Sequence, residues 1–502
     1  MNIIEKIKQN KWNIIITFIY AIVTFIITIF FHEKWRDEAQ AWLIARDLDL
    51  FGIIKQMSYE GHPPLWHLIL APFAKLGFPY ITESIISWAI MVVTVWIFLN
   101  KSPFKKEIQI LIILIAPFIY LYPTIARNYC LIPLALVLIA TYYPQRKEKM
   151  IQYCLSILLL AYTHVLMLAM VGMLYLFFFL DEIFYTKKNK SEKKNLIIVL
   201  SIVVVGLLIL FFILIGSLNK NTQIPLNSEK TIVNINKVKL LFNSITGQLF
   251  GATSNTKGFE FYFFIFVILL IICQLRINAE NFIIAFASTI WQIIIYLFVY
   301  GASYQKTSTL LLIVIFIAWI NYYNTNKKEE NIFFEKVNTI VKIGCAVALV
   351  LNAMLGITEI NYDIKDNYSN AKEAAQYINN NTEDETVFVC MDSSTSSAII
   401  PYTKNKKFWN PVSEKFFTYI TWDNSSTTNY STDEIIKKVE NNFNKQDNLY
   451  LIENDELVNN EAENIKKLQQ RNIISEELHN TKGNSIVKGE SFTIYKINLQ
   501  EN

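Results

Sequence analysis

Charge is scarce in this chain. Charged residues make up 18% of its 502 residues while 53% are apolar, against about 25% charged in an ordinary soluble domain. Apolar runs of the ~20 residues that carry a helix across a bilayer recur along it, which excludes a soluble globular protein. Cysteine is sparse too. Cys130, Cys154, Cys273 and Cys345 lie in apolar runs, where a thiol packs as a small hydrophobe, and Cys390 lies alone in a polar tail. No disulfide framework is implied. There is no glycine-rich phosphate loop and no internal repeat, so neither a soluble nucleotide site nor a duplicated transporter half is signalled. No small-x-small cleavage signal follows the first apolar run, Ile14 to Phe31; the chain continues directly into His32-Glu33-Lys34-Trp35. An uncleaved first span is expected. The net charge of +4, from 46 basic and 42 acidic residues, says less than where the basic residues sit, and no nucleic-acid partner is expected.

Basic clusters prefer cytoplasmic loops. They occur at Lys6–Lys11, Lys101–Lys106, Arg146–Lys149, Lys187–Lys194, Arg276 and Lys327–Lys328. If all lie inside, an even number of crossings separates each neighbouring pair. The run from Met150 to Leu180 would reach about 46 Å as one helix, well over the ~30 Å hydrocarbon core. Two short spans turning at Thr163-His164 satisfy both length and parity. By the same reasoning the chain turns outside around Arg127, through Ser217 to Gly258, and at Gly301 to Lys306. A last span near Val341–Ile357 delivers the tail to the outside. The segment from His62 to Phe78 is short and carries Lys75, so it is read as an interfacial helix. Trp35 to Leu50 is read as a surface-lying helix with Trp35, Ala39, Trp42, Leu43 and Leu50 near one face. The fold class is therefore a polytopic α-helical membrane protein of roughly eleven spans with a C-terminal exterior α/β domain. Residues 1–360 form the membrane part, with its first exterior loop at 32–79, and residues 361–502 the exterior domain. In the tail, helices are expected at Tyr368–Ile378 and Glu461–Gln470, and strands at Thr386–Met391, Asn448–Ile452 and Ser491–Ile497. Asn379–Asn381 and Asn424–Asn429 read as loops.

Topology brings distant ionisable residues to one side: Asp37-Glu38, His62, Arg127, His164 and Lys306. Ionisable groups at membrane depth are expensive and usually mark a working site. Each also has a plainer reading. The carboxylates suit a solvated helix surface, His62 suits the start of a helix before Pro63-Pro64, His164 suits a hairpin, and Arg127 and Lys306 suit snorkelling to headgroups. Taken together they suit transfer from a lipid phosphate. A carboxylate removes a proton from an attacking hydroxyl, and cationic groups stabilise the departing phosphate.

Arg36-Asp37-Glu38-Ala39, Gly61-His62-Pro63-Pro64-Leu65, Ala126-Arg127-Asn128-Tyr129 and Tyr162-Thr163-His164 stand in this order. The set resembles the multi-span glycosyltransferases of the GT-C fold, whose members include protein O-mannosyltransferases and lipid-A aminoarabinose transferases. The resemblance is clearest from Trp35 to His164. It implies inverting transfer from a polyprenyl-phosphate-linked sugar to a glycan, lipid or protein acceptor, with Asp37 as general base and Glu38 orienting the acceptor. It implies a donor-phosphate site drawn from His62, Arg127, Tyr129, His164 and Lys306. Many relatives carry an Arg-His or Arg-Tyr pair where this chain has Tyr304-Gln305-Lys306, and lysine is not an arginine equivalent at a bidentate site. No cofactor is expected, and no metal, since the carboxylate-histidine spacing is not diagnostic. A multi-pass protein of the cell membrane with an extracytoplasmic tail follows. The alternatives are a lipid or solute transporter, which would place its charges near mid-membrane, and a non-catalytic subunit of a cell-envelope assembly.

Overall fold

The computed structural model describes residues 3–185, 190–216, 235–250, 259–299, 301–323, 332–423, 432–444, 448–454, 461–481, 483 and 485–499. The basic pair Lys327–Lys328, Lys187, most of the turn from Ser217 to Gly258, and the loop Asn424–Asn429 lie outside these residues. Among the described residues, seven helices are long and apolar enough to cross a membrane. An eighth is a broken pair, Lys106–Leu114 with Pro117–Thr124, bent by 58°. Met150–Ala161 and Tyr262–Ile277 are shorter apolar helices, the first ending just before Thr163-His164.

Helix α1 (Ile3–Ile26) carries the first apolar run and ends in a widened π turn, Ile27–Phe31. Three helices fill the following loop: α2 (Arg36–Asp47), α3 (Leu50–Glu60) and α4 (Leu65–Lys75). Helix α5 (Thr82–Lys101) then returns along α1. Local chemistry sets each boundary. At α2, the Glu38 carboxylate reaches back to the Trp35 N–H at 3.3 Å, the reciprocal half of a capping arrangement. At α3, Asp49 accepts from the Gly52 N–H at 2.6 Å. Gly61 closes α3 in the left-handed region at φ 70°, its N–H on the Met57 carbonyl at 3.0 Å. Only a residue without Cβ enters that conformation cheaply. Pro63 and Pro64 stand immediately before α4, where a missing N–H costs nothing. Eleven residues of α4 extend about 16 Å, too little to cross a bilayer.

One expectation is corrected by the packing. The Trp35–Leu50 segment does form a helix, but α2 does not lie on a surface. Every residue from Glu38 to Ala45 is buried, because α4 covers one side while the short helix Ser393–Ser396 and the turn Ile400–Tyr402 from the tail cover another.

The bend in the broken pair has a clear origin. Ile115 is extended, and Pro117 follows Ala116 without an N–H to continue the ladder. The Ala116 N–H is instead taken by Asn352 Oδ1 at 3.0 Å. Asn352 belongs to the last long helix, Ile332–Lys365, and Gly356 of that helix sits so close that a Cβ there would meet Ala116 Cα at 2.9 Å. An apolar interior offers a freed N–H no water, so the asparagine is the repair.

Beyond that helix the tail forms Ala371–Asn381 and a six-stranded sheet. Its strands are β1 (Val387–Cys390), β2 (Lys407–Asn410), β3 (Lys415–Phe417), β4 (Leu449–Asn454), β5 (His479–Asn480) and β6 (Phe492–Lys496), in the order β3-β2-β1-β4-β6-β5. β1 pairs parallel with β2 and β4, and the remaining pairs are antiparallel. Side-chain alternation divides the sheet. Phe388, Cys390, Phe408, Tyr450, Ile452, Phe492 and Ile494 join the apolar core of the helical bundle. Val387, Val389, Trp409, Leu449, Leu451 and Tyr495 form a second core with helices Thr432–Asn442 and Glu461–Gln470.

Replacing Asn352 by leucine strands the Ala116 N–H and costs about 1–3 kcal/mol. Thermal unfolding in detergent should show a lower midpoint for Asn352→Leu and no change for Met354→Leu, whose side chain is exposed.

Candidate active site

Four sequence-derived residues line one cavity of about 470 Å³: Asp37, His62, Arg127 and Lys306. Each arrives on a different element. Asp37 stands in the first turn of α2, His62 between α3 and α4, and Arg127 in the loop after the broken pair. Lys306 stands in the first turn of helix Tyr304–Asn321. The walls between them include Gln40, Tyr59, Glu60, His67 and Trp422.

Asp37 and Arg127 form a direct ion pair, Oδ2 to Nη1. The guanidinium also stands 5.6 Å from the Tyr129 ring centre and 5.9 Å from that of Trp35, within cation–π range. Burial disfavours the charge on Arg127, but Asp37, Tyr129, Glu38 and Glu60 together outweigh it and raise the pKa further above its ordinary value. Asp37 and Arg127 thus neutralise each other within the cavity.

Glu38 is placed differently from its neighbour. It is fully buried and its carboxylate is occupied by the protein. Oε1 accepts from the Ala126 N–H at 2.8 Å, fixing the backbone immediately before Arg127. Oε2 faces His32 Nε2 at 3.1 Å, and His32 Nδ1 faces Asp363 Oδ2 at 2.9 Å. Burial works against a charged His32, yet Asp363 and Glu38 hold its pKa up at about 10. The imidazolium therefore joins the end of α1, the start of α2 and the end of helix Ile332–Lys365.

Tyr129 and His164 lie buried behind Arg127, outside the cavity lining. The Tyr122, Tyr129 and His164 rings stack in series, with centroids 6.1 and 5.0 Å apart. His164 Nδ1 accepts from the Leu166 N–H at 3.2 Å, so its proton sits on Nε2 and points to the Tyr129 hydroxyl at 3.2 Å. The Tyr122 hydroxyl meets Ser308 Oγ at 2.6 Å, and the Tyr296 hydroxyl donates to the Lys306 carbonyl at 2.8 Å. This aromatic column joins the Arg127 loop to the helix that carries Lys306.

His62 stacks on His67 with centroids 5.4 Å apart. Burial and the nearby Arg127 charge depress its pKa to about 4. At neutral pH it is a neutral donor or acceptor, not a cation. Glu60 is raised to about 7 by burial, against the opposing hydrogen bonds of Gln40 and Gln56, whose amides reach its Oε1 at 2.8 and 3.1 Å.

The sequence pattern assigns no role to Glu60, His32, Asp363, Gln40, Gln56 or Trp422. For Glu60 a signal existed, namely its place two residues before His62. For His32–Asp363 and for Gln40 with the tail, the partners are 331 and 380 residues apart, beyond any local pattern. Among the described residues no group of three or more His, Cys, Asp or Glu is arranged to hold a metal ion.

No family model matches the sequence, and no curated protein matches it. The chain is similar in overall path to two solved structures of ArnT from Cupriavidus metallidurans. The form bound to undecaprenyl phosphate is 12% identical, with 97% of this chain and 98% of that one covered and a TM-score of 0.47. The apo form is 11% identical over the same shares, with a TM-score of 0.49. What the cavity does is read from its own side chains.

The His32 clamp carries a pH signature. A histidine whose folded pKa is raised contributes stability that is complete below its ordinary value of 6.5 and is lost as pH rises through about 10. His32→Gln leaves two buried carboxylates facing each other and should cost about 3–5 kcal/mol. Unfolding midpoints followed against pH should show the gap to the native protein widest below pH 6.5 and closing towards pH 10.

Proposed function

We propose that this chain is an integral-membrane glycosyltransferase of the GT-C type. It moves a sugar from a polyprenyl-phosphate donor to an acceptor hydroxyl on a glycan, lipid or protein at the outer face of the cytoplasmic membrane. The observation that carries the reading is a carboxylate, Asp37, paired with Arg127 in a cavity that also receives Lys306. Base and phosphate-binding groups stand together at the end of a helical bundle.

The chemistry follows from that pairing. Arg127 presents a planar fork suited to a phosphate. Lys306 adds charge in the first turn of an 18-residue helix, whose amino end favours an anion. A lipid phosphate arriving there competes with Asp37 for the guanidinium and releases the carboxylate to act as base. Asp37 takes the proton of the acceptor hydroxyl. The acceptor oxygen bonds to the anomeric carbon from the face opposite the phosphate, the bond from that carbon to the phosphate oxygen breaks, and the electron pair leaves with the polyprenyl phosphate. Configuration inverts. The departing charge is met by Arg127 and Lys306. Neutral His62 serves as a hydrogen-bond partner in the wall. Tyr129 and His164 hold the arginine loop from behind, and Glu38 is a positioning residue acting through the Ala126 N–H. On this reading the tail is extracytoplasmic and residues 361–502 form its domain.

Membranes carrying the protein, incubated with a panel of polyprenyl-phosphate sugars, should release sugar or pass it to an acceptor. Asp37→Asn should lower that rate about 10²–10⁴-fold, the usual contribution of a general base, with insertion and yield unchanged. Undiminished turnover by Asp37→Asn would reject the assigned base.

A further inference from the structure

The cavity has two unlike walls. One is cationic and belongs to the bundle: Arg127 and Lys306. The other is aromatic and amide-rich: Tyr59, Glu60, Gln40 and Trp422. Trp422 comes from the tail, 385 positions after Asp37 in the chain (422 less 37), and its position is built, not incidental. Ile420, two residues earlier, is buried and its peptide groups are gripped on both sides. The Ile420 N–H donates to Gln40 Oε1 at 2.9 Å. Its carbonyl accepts from Gln40 Nε2 at 2.6 Å and from Gln56 Nε2 at 3.1 Å. The Gln40 amide thus pairs with a tail peptide in both directions. The same two glutamine amides hold Glu60 Oε1, so one network fixes both the tail segment and a carboxylate of the cavity.

We infer that Trp422 is the stacking platform of an acceptor subsite and that the acceptor it takes is a saccharide, its ring laid on the indole with Glu60 at the hydroxyl edge. This rests on the transferase reading and narrows its three acceptor classes to one. A pyranose presents an apolar face of C–H bonds and a rim of hydroxyls. A half-buried indole beside a carboxylate and amides matches both. A lipid alcohol has no ring rim for the amides and Glu60. The cationic wall is left for the donor phosphate. Gln40 and Gln56 are positioning residues, acting through the Ile420 peptide.

The test uses the purified full chain and two separate binding probes. Methyl glycosides of glucose, mannose, galactose and N-acetylglucosamine probe the aromatic wall by saturation-transfer NMR. Farnesyl phosphate probes the cationic wall by calorimetry. At least one glycoside should bind. Trp422→Ala should weaken it about 10-fold or more, a loss of about 1.4 kcal/mol, while Trp422→Phe keeps it within about 3-fold. Gln40→Ala should weaken the glycoside as well, and Arg127→Gln should weaken farnesyl phosphate alone. Binding of farnesyl phosphate with no glycoside bound overturns the saccharide subsite and leaves the transferase standing. So does equal glycoside affinity in Trp422→Ala. A joint loss of both probes in Trp422→Ala at an unchanged unfolding midpoint assigns the indole to the donor and also overturns the inference. Failure of the native protein to bind either probe removes the transferase reading with it.

Discussion

A histidine between two carboxylates organises this molecule. His32 stands where the first span stops, and its two ring nitrogens face Glu38 and Asp363. A buried carboxylate without a partner is prohibitively costly, so neither acid is tolerable without the imidazolium. The histidine in turn keeps its proton because both acids are present. The remaining oxygen of Glu38 receives the Ala126 N–H, and the next residue is Arg127. A charge contact between the first and last long helices therefore continues, through one carboxylate, to the backbone that aims the arginine. Glu38 and Asp37 are adjacent in sequence yet divide the work by helix geometry: one faces the protein and the other the cavity.

Much of the cavity was legible because the rule that revealed it is global. Counting basic loops requires no knowledge of packing, and it puts Asp37, His62, Arg127 and Lys306 on one side. In the structure these four line one space. Periodicity and length likewise gave the tail's helix Glu461–Gln470 and strands near β1, β4 and β6. Of the strands that escaped, β3 and β5 have three and two residues, too short for an alternation to register, and β2, Lys-Phe-Trp-Asn, lacks the unbroken apolar run Val-Phe-Val-Cys that marks β1. What parity could not resolve is depth. Tyr129 shares a turn with Arg127, and His164 stands in a turn expected on the same side, but both belong to the aromatic column and not to the cavity lining. Glu38 differs from Asp37 by about 100° around a helix, which sequence order does not express.

The residues missed altogether share one physical trait. His32, Asp363, Gln40, Gln56 and Trp422 matter through partners far away in the chain, and each is individually unremarkable in its local context. Gln40 reads as a polar residue on an amphipathic helix. Its importance arises when the tail covers that face and offers a peptide group with both a donor and an acceptor. The misplacement of α2 as a surface helix has the same cause, since amphipathicity describes which side is apolar but not what will cover the polar side.

The division of the sheet's two faces constrains how anything enters. Phe388, Phe408, Phe492 and their neighbours share a continuous apolar core with the bundle. Lifting the tail away like a lid would bring that whole face into water, at about 25 cal/mol for each Å² uncovered. The tail is therefore a fixed wall of the bundle, and on the proposed transferase reading a lipid tail would enter between helices and an acceptor through the side of the cavity.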